Sequence, residues 1–431
     1  MDFRVILLLI LEGLFALFLL WRADTLRSGR SVILSVILIA AAFFIRAHFF
    51  YYKTWDYKDF LTKWVDFFRT NGGFKGLQYS VGNYNIPYLY FMALFSYSDI
   101  PDLYLIKLLS TFFDILLAYA SMMLVRKCGK NAFPSVVCFF LVLFLPTVML
   151  NSAVWGQCDS IFVSLALLGL ELALPDPETG KRGHPVLSMV FIALSFGFKL
   201  QAVFIMPVWL ILWVWKKYKW YLFGVFPITY LILIFPAVLL GRPIKDAVLL
   251  YADQANTVGD ALNYTASSLT ALMKGGGNTE RISSILILCA FAAMAVLLIA
   301  GLLICRKGKM TSSVFLVLTV LMVMVIPFLL PHMHDRYFYT ADVLTAVLFA
   351  CCPAAFFIFG CMPFGSFLCY YGYIFERYFH LVGGVYLTNA TGAIAVLCAI
   401  LLCCALLFAV IGQGGFPAGF ILRKRSAEHS A

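Results

Sequence analysis

The feature that most constrains this chain is a series of long apolar segments that contain almost no charged residues. They lie at roughly 5–21, 31–49, 103–124, 133–151, 160–174, 186–198, 200–215, 219–240, 282–304, 312–330, 338–358, 360–375 and 391–412. A helix needs about 20 residues to cross a bilayer. The sequence therefore predicts about thirteen crossings, in a range of about 11–14. The short segments near 186–215 are expected to be broken or re-entrant.

Composition supports a membrane protein. The chain is 63% hydrophobic and 12% charged, whereas soluble domains are about half apolar and a quarter charged. We predict an all-α polytopic membrane protein with a single transmembrane domain over residues 1–422 and a cytoplasmic tail at 423–431. Most of the twelve cysteines lie inside apolar runs without CxxC spacing, so we interpret them as small hydrophobic residues.

The basic residues predict an orientation in the membrane. "WRADTLRSGR", "RKCGK", "GKRGH", "KKYK", "CRKGK" and "LRKR" fall on alternate connections, which the positive-inside rule makes cytoplasmic. The N-terminus is then outside and the C-terminus cytoplasmic. Topology and contact with anionic lipid account for the net charge of +11, so no nucleic-acid partner is expected. Two long connections, about 50–102 and 242–281, and the stretch "HMHDRYFY" are predicted to lie on the outer face.

The first outer connection predicts an amphipathic helix in the membrane interface from Trp55 onward. Its apolar side carries Phe60, Trp64, Phe67 and Phe68, and its charged side carries Asp59, Lys63, Asp66 and Arg69. Asp56 lies in the first turn, where the helix dipole favours an ionised carboxylate. A second short helix is predicted after Asn85, with Pro87 in its first turn.

Ionisable and amide side chains also fall at apolar segments, where they are costly and usually face a cavity or each other. Lys107 and Asp114 lie seven residues apart on one helix face, so an internal ion pair between them is one expectation and contact with a cavity is the other. The same two alternatives hold for Lys199. Further polar residues at such positions are Gln157, Asp159 and Gln201.

Six short stretches within roughly residues 50–340 carry a resemblance to a known family. They are "WDYKDFLTKW", "NYNIPY", "WGQCDSIF", "FKLQAVFIMP", "ALNYTASSL" and "HMHDRYF". Their order and membrane positions resemble those of the GT-C glycosyltransferases, polytopic enzymes that use polyprenyl-phosphate sugars as donors. The chain resembles bacterial relatives of the second mannosyltransferase of GPI-anchor synthesis, and is similar to the glucosyltransferases that finish the lipid-linked oligosaccharide.

The resemblance implies a GT-C-type bundle with amphipathic helices in the first outer loop, a polyprenyl-phosphate-linked sugar donor and a glycan or glycolipid acceptor. It implies no cofactor and no divalent metal. The family's essential aspartate stands in a pattern of Asp, an aromatic residue and a later Trp, which matches Asp56, Tyr57 and Trp64. Two departures are that Trp55 stands where relatives often have Gly, and that the Asp-Glu pair of protein O-mannosyltransferases is absent.

Inverting transfer of a sugar from a phosphate to a hydroxyl needs a base, cations for the departing phosphate and a water-protected cavity. We predict that Asp56 is the base, with Asp59 as the alternative. In the family, a histidine followed by an acid and a base meets the lipid phosphate, which here matches His334, Asp335 and Arg336. The predicted phosphate-binding residues are His334, Arg336 and Lys199.

Other residues of these stretches are candidates for substrate binding. They are Asp59, Trp64, Asn83, Tyr84, Asn85, Gln157, Asp159, Gln201, Asn263, His332 and Asp335. No metal site is predicted, since zinc at His332 and His334 would need further ligands. Simpler roles stay open: Asp56 as a helix cap, and Arg336 as an anchor at the lipid headgroups.

The sequence thus favours an inverting hexosyltransferase, for mannose or glucose, that acts on the outer face of the cell membrane. Its acceptor would be a hydroxyl of a cell-envelope glycan or glycolipid. Two alternatives remain. A lipid-linked-sugar transporter or flippase would also place charges midway through helices. An O-antigen-type polymerase or ligase would share the topology and the donor.

Overall fold

A computed structural model describes residues 2–256, 259, 261–273, 278–376 and 386–416, with the backbone alone for 253–256. The predicted tail at 423–431 lies outside the described residues. The α-helices are α1 Phe3–Arg22, α2 Gly29–Phe49, α3 Thr62–Thr70, α4 Ile86–Phe95, α5 Asp102–Lys127, α6 Ala132–Leu143, α7 Pro146–Met149, α8 Asp159–Ala173, α9 Pro185–Phe198, α10 Val208–Lys216, α11 Val225–Leu239, α12 Ile244–Asn256, α13 Thr279–Arg306, α14 Ser312–Leu329, α15 Tyr339–Cys351, α16 Phe356–Phe375 and α17 Leu387–Gln413.

Shorter elements join these helices. Two π-helices span Tyr57–Leu61 and Leu150–Trp155 in the described chain. The 3₁₀ helices are Gly73–Gln78, Leu200–Phe204, Trp220–Gly224, Leu269–Leu272 and Pro353–Ala355. Strand β1 (Asn263–Tyr264) pairs in parallel with β2 (Met333–His334), with Asn263 opposite Met333.

The fold is an all-α membrane protein, as predicted. Among the described residues, eight helical spans are long and apolar enough to cross a membrane, or nine if the bent pair Ala132–Leu143 and Pro146–Trp155 is one span. The eight are Phe3–Arg22, Gly29–Phe49, Asp102–Lys127, Trp220–Leu239, Thr279–Arg306, Ser312–Leu329, Pro353–Phe375 and Leu387–Gln413. The other predicted segments form shorter helices, apart from the bent pair, whose two helices meet at an angle of 46°.

The predicted break near 186–215 is confirmed. Helix α9 ends at Phe198, and Lys199 has extended backbone angles, φ −154° and ψ 133°. A 3₁₀ turn over Leu200–Phe204 follows before α10 begins. The break lets the Lys199 side chain point into the interior, where it is 6% exposed.

The amphipathic segment after Trp55 is confirmed as the π-helix Tyr57–Leu61 continued by α3. The buried side consists of Tyr57, Leu61, Trp64, Val65 and Phe68. The opposite side exposes Lys58, Lys63, Asp66 and Arg69. The prediction was wrong for Phe60, which is 39% exposed although it was assigned to the apolar side. Gly72 ends the segment with φ +75°, a left-handed conformation that glycine adopts without steric cost. Asn85 then caps α4 by accepting a hydrogen bond from the Ile86 amide at 2.8 Å.

The predicted ion pair between Lys107 and Asp114 is wrong. Lys107 Nζ instead donates to the carbonyls of Phe49 at 2.9 Å, Phe50 at 3.1 Å and Tyr52 at 2.7 Å. These carbonyls lie at the end of α2, where the regular helical hydrogen bonds stop, and the Phe49 carbonyl also accepts from the Tyr52 amide at 3.0 Å. Lys107 therefore fixes the chain just before the segment that carries Asp56.

The partner of Asp114 is Arg46, a residue of α2. Arg46 Nη2 and Nε donate to Asp114 Oδ2 at 2.9 and 3.1 Å, and Ser152 Oγ donates to the same oxygen at 2.6 Å. Both charged side chains are fully buried. The pair joins α2 and α5 to the π-helix Leu150–Trp155.

Replacing Arg46 by methionine is expected to lower the free energy of unfolding by about 3–5 kcal/mol, because Asp114 would stay buried without its cation. The matched control is Arg69→Met, which breaks a pair with Asp66 whose side chains are 44% and 59% exposed. That loss should stay below about 1 kcal/mol. Thermal unfolding of the detergent-solubilised variants compares the two, and equal losses would contradict this role of Arg46.

Candidate active site

A cavity of about 530 Å³ opens where the first π-helix, the start of α4, the break after α9 and strand β2 meet. Many of the residues that we predicted for the site line it. They are Asp56, Trp64, Asn83, Tyr84, Asn85, Gln157, Lys199, Gln201, His332, His334, Asp335 and Arg336. The structure therefore brings together stretches that lie up to 280 residues apart in sequence, from Asp56 to Arg336.

Three predicted residues do not line the cavity. Asp59 lies on the exposed side of the amphipathic segment, with Lys63 Nζ 3.0 Å from its Oδ1. Asp159 is buried behind the cavity wall. The Asn263 side chain stays within its own loop, where Oδ1 accepts from the Ala266 amide at 2.6 Å.

The Asp56 carboxylate is held by three donors within the described part of the chain. Trp155 Nε1 and Gln157 Nε2 each donate to Oδ2 at 2.7 Å, and Tyr373 Oη donates to Oδ1 at 3.0 Å. A carboxylate accepts about four hydrogen bonds, so one position remains on Oδ1. The side chain makes no capping hydrogen bond with the helix that follows it, which disfavours the helix-cap alternative.

Two π-helices position Asp56 and its donors. Asp56 immediately precedes the π-helix Tyr57–Leu61, and Trp155 ends the π-helix Leu150–Trp155. Such wider turns occur often at functional sites. Gly156, with φ +74°, then reverses the chain, so that the side chains on both sides of it reach the same carboxylate.

Arg336 lies among three carboxylates. Its nitrogens are 3.8 Å from the oxygens of Asp56, Asp159 and Asp335, longer than a hydrogen bond in each case. Its buried Nε makes no hydrogen bond with any described residue. The guanidinium carbon lies 5.2 Å from the Trp155 ring centroid, in cation–π range. Arg336 therefore keeps donors for a further ligand.

Lys199 is the second cation at the cavity, and it is already paired. Its Nζ contacts Asp159 Oδ1, while Asn151 Nδ2 donates to Asp159 Oδ2 at 2.7 Å. The Lys199 ammonium also lies 5.6 Å from the Tyr84 ring centroid. The alternative of an internal ion pair for Lys199 is confirmed, and its side chain also lines the cavity.

His334 and Asp335 are perturbed by burial. The ring of His334 stacks on the ring of Tyr264, with the two centroids 4.8 Å apart. Burial lowers the pKa of His334 to about 4, and the nearby cations Arg336 and Lys199 add to this effect. Burial raises the pKa of Asp335 to about 7, against the opposing effect of Arg336. At neutral pH, His334 can therefore form hydrogen bonds but carries no charge.

His332 has a structural role in the loop. It adopts φ +60°, its Nδ1 donates to the Ala261 carbonyl at 2.7 Å, and its Nε2 accepts from Ser283 Oγ at 2.9 Å. Both ring nitrogens are thus engaged, and the contacts tie β2 to the start of α13.

No protein-family model matches this chain, and no curated protein does.

Two aromatic residues at the centre of the site were absent from the sequence-based prediction. Trp155 and Tyr373 both donate to Asp56, and their rings stack at 4.1 Å. Trp155 stands two residues before the predicted Gln157, in a motif that already pointed to the site. Tyr373 belongs to "YYGY", a run of hydroxyl-bearing residues in an apolar segment, which was the available signal.

The pKa shifts of Asp335 and His334 predict opposite pH effects on stability. The folded-state pKa of Asp335, about 7, exceeds its usual 3.8. Its contribution to the stability of the fold is therefore complete below about pH 4 and is lost as pH rises through about 7. The folded-state pKa of His334, about 4, lies below its usual 6.5. Its contribution to the stability of the fold is therefore lost as pH falls from about 6.5 through about 4.

Single variants should separate the two effects. As pH increases from about 4 to 7, the thermal midpoint of Asp335→Asn should rise relative to that of the wild type. As pH increases from about 4 to 6.5, the thermal midpoint of His334→Gln should fall relative to that of the wild type. Thermal unfolding of detergent-solubilised protein at a series of pH values measures both. Differences that do not change with pH would contradict the assignment.

Proposed function

We propose that this chain is an inverting glycosyltransferase of the GT-C type. It would move a hexose, mannose or glucose, from a polyprenyl-phosphate carrier to a hydroxyl of a cell-envelope glycan or glycolipid, on the extracytoplasmic face of the cell membrane. The observation that carries the proposal is one carboxylate with a free acceptor position, Asp56, in the same cavity as a guanidinium with free donors, Arg336.

Asp56 has the geometry of a general base. Its remaining position on Oδ1 would accept the hydrogen bond of the acceptor hydroxyl. As the hydroxyl oxygen bonds to the anomeric carbon, its proton becomes acidic and passes to Asp56, while the bond from that carbon to the phosphate oxygen breaks. The three existing hydrogen bonds hold the carboxylate in place during this step. A positioned base contributes roughly 10²–10⁴-fold to a rate.

The departing lipid phosphate would be stabilised by fixed cations. Arg336 can present two parallel N–H donors to phosphate oxygens. Lys199 adds a second positive charge, and neutral His334 adds one hydrogen bond. Cations that are already in place when the phosphate charge develops are usually the largest electrostatic contribution to such a reaction.

The size and the lining of the cavity suit a lipid-linked sugar. Its volume of about 530 Å³ falls in the range of about 300–1,000 Å³ typical of small-ligand sites. Trp55 and Phe60 line it and are 59% and 39% exposed. These rings offer apolar surface at the point where a prenyl chain or a sugar face would enter.

Asp56→Asn is expected to lower the rate of sugar transfer by at least about 10²-fold, because the amide cannot accept the hydroxyl proton. Membranes containing the full chain would be assayed with labelled mannosyl- and glucosyl-polyprenyl phosphates. Asp59→Asn is the matched control: it lies on the same segment but outside the cavity, and its activity should stay within about 2-fold of wild type.

The same variants separate transfer from transport. A lipid-linked-sugar transporter would move its substrate across the membrane without a base, so it should tolerate Asp56→Asn. Full transport activity in that variant, with no transfer by the wild type, would overturn the proposal. Equal loss in both aspartate variants would overturn the assignment of Asp56 as the base.

Arg336→Lys is expected to lower kcat/KM for the lipid-linked donor by about 10- to 100-fold, because it keeps the positive charge but loses the two-donor geometry. Steady-state kinetics at a saturating acceptor concentration measures the effect. Lys63→Arg, an exposed exchange of the same residue types, serves as the control. An Arg336→Lys variant with unchanged donor kinetics would contradict phosphate binding by Arg336.

A further inference from the structure

Three oxygen-bearing side chains meet in the protein interior, below the wall of the cavity. They are Thr147 of α7, Asp342 of α15 and Ser366 of α16, and each is fully buried. We call them the buried oxygen cluster. Thr147 Oγ1, Ser366 Oγ and both carboxylate oxygens of Asp342 make no hydrogen bond with the described residues. Buried oxygens without partners are rare in folded proteins and call for a physical explanation.

The cluster forms the lower of two polar layers between the same helices. Thr147 and Ser366 lie four residues before Asn151 and Tyr370, on the same faces of their helical segments. In the upper layer Asn151 Nδ2 contacts Tyr370 Oη at 3.0 Å. In the lower layer both hydroxyls lie beside the Asp342 carboxyl, yet no hydrogen bond of normal geometry joins the three groups.

The charge of Asp342 lacks a basic partner. No lysine, arginine or histidine in the described part of the chain forms an ion pair with it, whereas the other buried aspartates Asp114, Asp159 and Asp335 each have one. Asp342 lies in the first turn of α15, where the helix dipole supplies only about half a positive charge. A fully buried carboxylate needs a complete positive partner.

The partner is either a proton or a metal cation, and the number of oxygens favours the cation. Two hydroxyls and both oxygens of one carboxyl, from three separate helices, lie beside one another. A proton bonds to one of these oxygens, whereas a cation takes all four as ligands. The donor set holds only carboxylate and hydroxyl oxygens, which suit hard cations, and a single carboxylate balances a single positive charge.

We propose that the buried oxygen cluster binds one sodium ion. The ion would bring together α7, α15 and α16, which pack against one another. It would also fix the upper layer, because Thr147 and Asn151 belong to adjoining turns. Asn151 holds Asp159, and Asp159 holds Lys199. Sodium would therefore stabilise the cavity wall from behind without touching a substrate.

Sodium-dependent stability tests this site without any transfer reaction, so its outcome is independent of the proposed enzymatic function. The full chain, purified in detergent in choline chloride, would be titrated with sodium chloride at constant ionic strength. The thermal midpoint should rise in a saturable manner by at least about 2 °C. Potassium chloride should give a smaller rise at the same concentrations.

Asp342→Asn should abolish the sodium dependence, since the amide has the same shape but no charge. Asp66→Asn makes the same change on the exposed side of α3 and should keep the full response. If Asp342→Asn does not fold, Ser366→Ala provides the second variant, and its sodium titration should shift to about 10-fold higher concentration. The proposal fails if wild type shows no sodium response, if potassium acts equally, or if the variant that folds responds like wild type.

Discussion

The arrangement of the site depends on the Asp159 carboxylate, which connects four separate segments. It lies in the first turn of α8, where the helix dipole favours its charge. Lys199 contacts one oxygen, and Asn151 donates to the other at 2.7 Å, with Arg336 Nε 3.8 Å away. Because Asp159 is only 2% exposed, its charge must be balanced within the protein. The two cations of the cavity are therefore held in place from behind by one buried anion.

A second constraint is the indole of Trp155, which connects the Asp56 carboxylate to the Arg336 guanidinium. Its Nε1 donates to Asp56 Oδ2, one face stacks on Tyr373 at 4.1 Å, and Arg336 lies 5.2 Å from the ring centroid. Asp56 and Arg336 are consequently held 3.8 Å apart. Under the proposed function, a donor phosphate would compete with Asp56 for Arg336. Donor binding would then leave Asp56 with its three hydrogen-bond donors and its open position on Oδ1.

Sequence reasoning located the charged residues of the site but not the side chains that hold them. Asp56 and Arg336 stand out because ionisable groups are rare in so apolar a chain. Trp155 and Tyr373 do not, since an aromatic residue in an apolar run looks the same whether it faces lipid, core or cavity. Helical spacing placed Lys107 and Asp114 on one face, but spacing does not report how far a lysine reaches. The Lys107 ammonium donates to carbonyls at the end of α2, and Asp114 pairs with Arg46 instead.

The cations in the interior of this protein fall into two groups, according to whether close hydrogen-bond partners surround them. Lys107 donates to three backbone carbonyls, and Arg46 donates to Asp114 and to the carbonyls of Leu143 at 2.8 Å and Ala42 at 3.3 Å. Neither side chain lines the cavity, so both hold the fold. Arg336 is 16% exposed and lies among opposite charges, but each of them stands 3.8 Å away. A cation in the protein interior is costly unless an anion lies close to it. Arg46 has such an anion in Asp114, whereas Arg336, which borders the cavity, still needs a closer one.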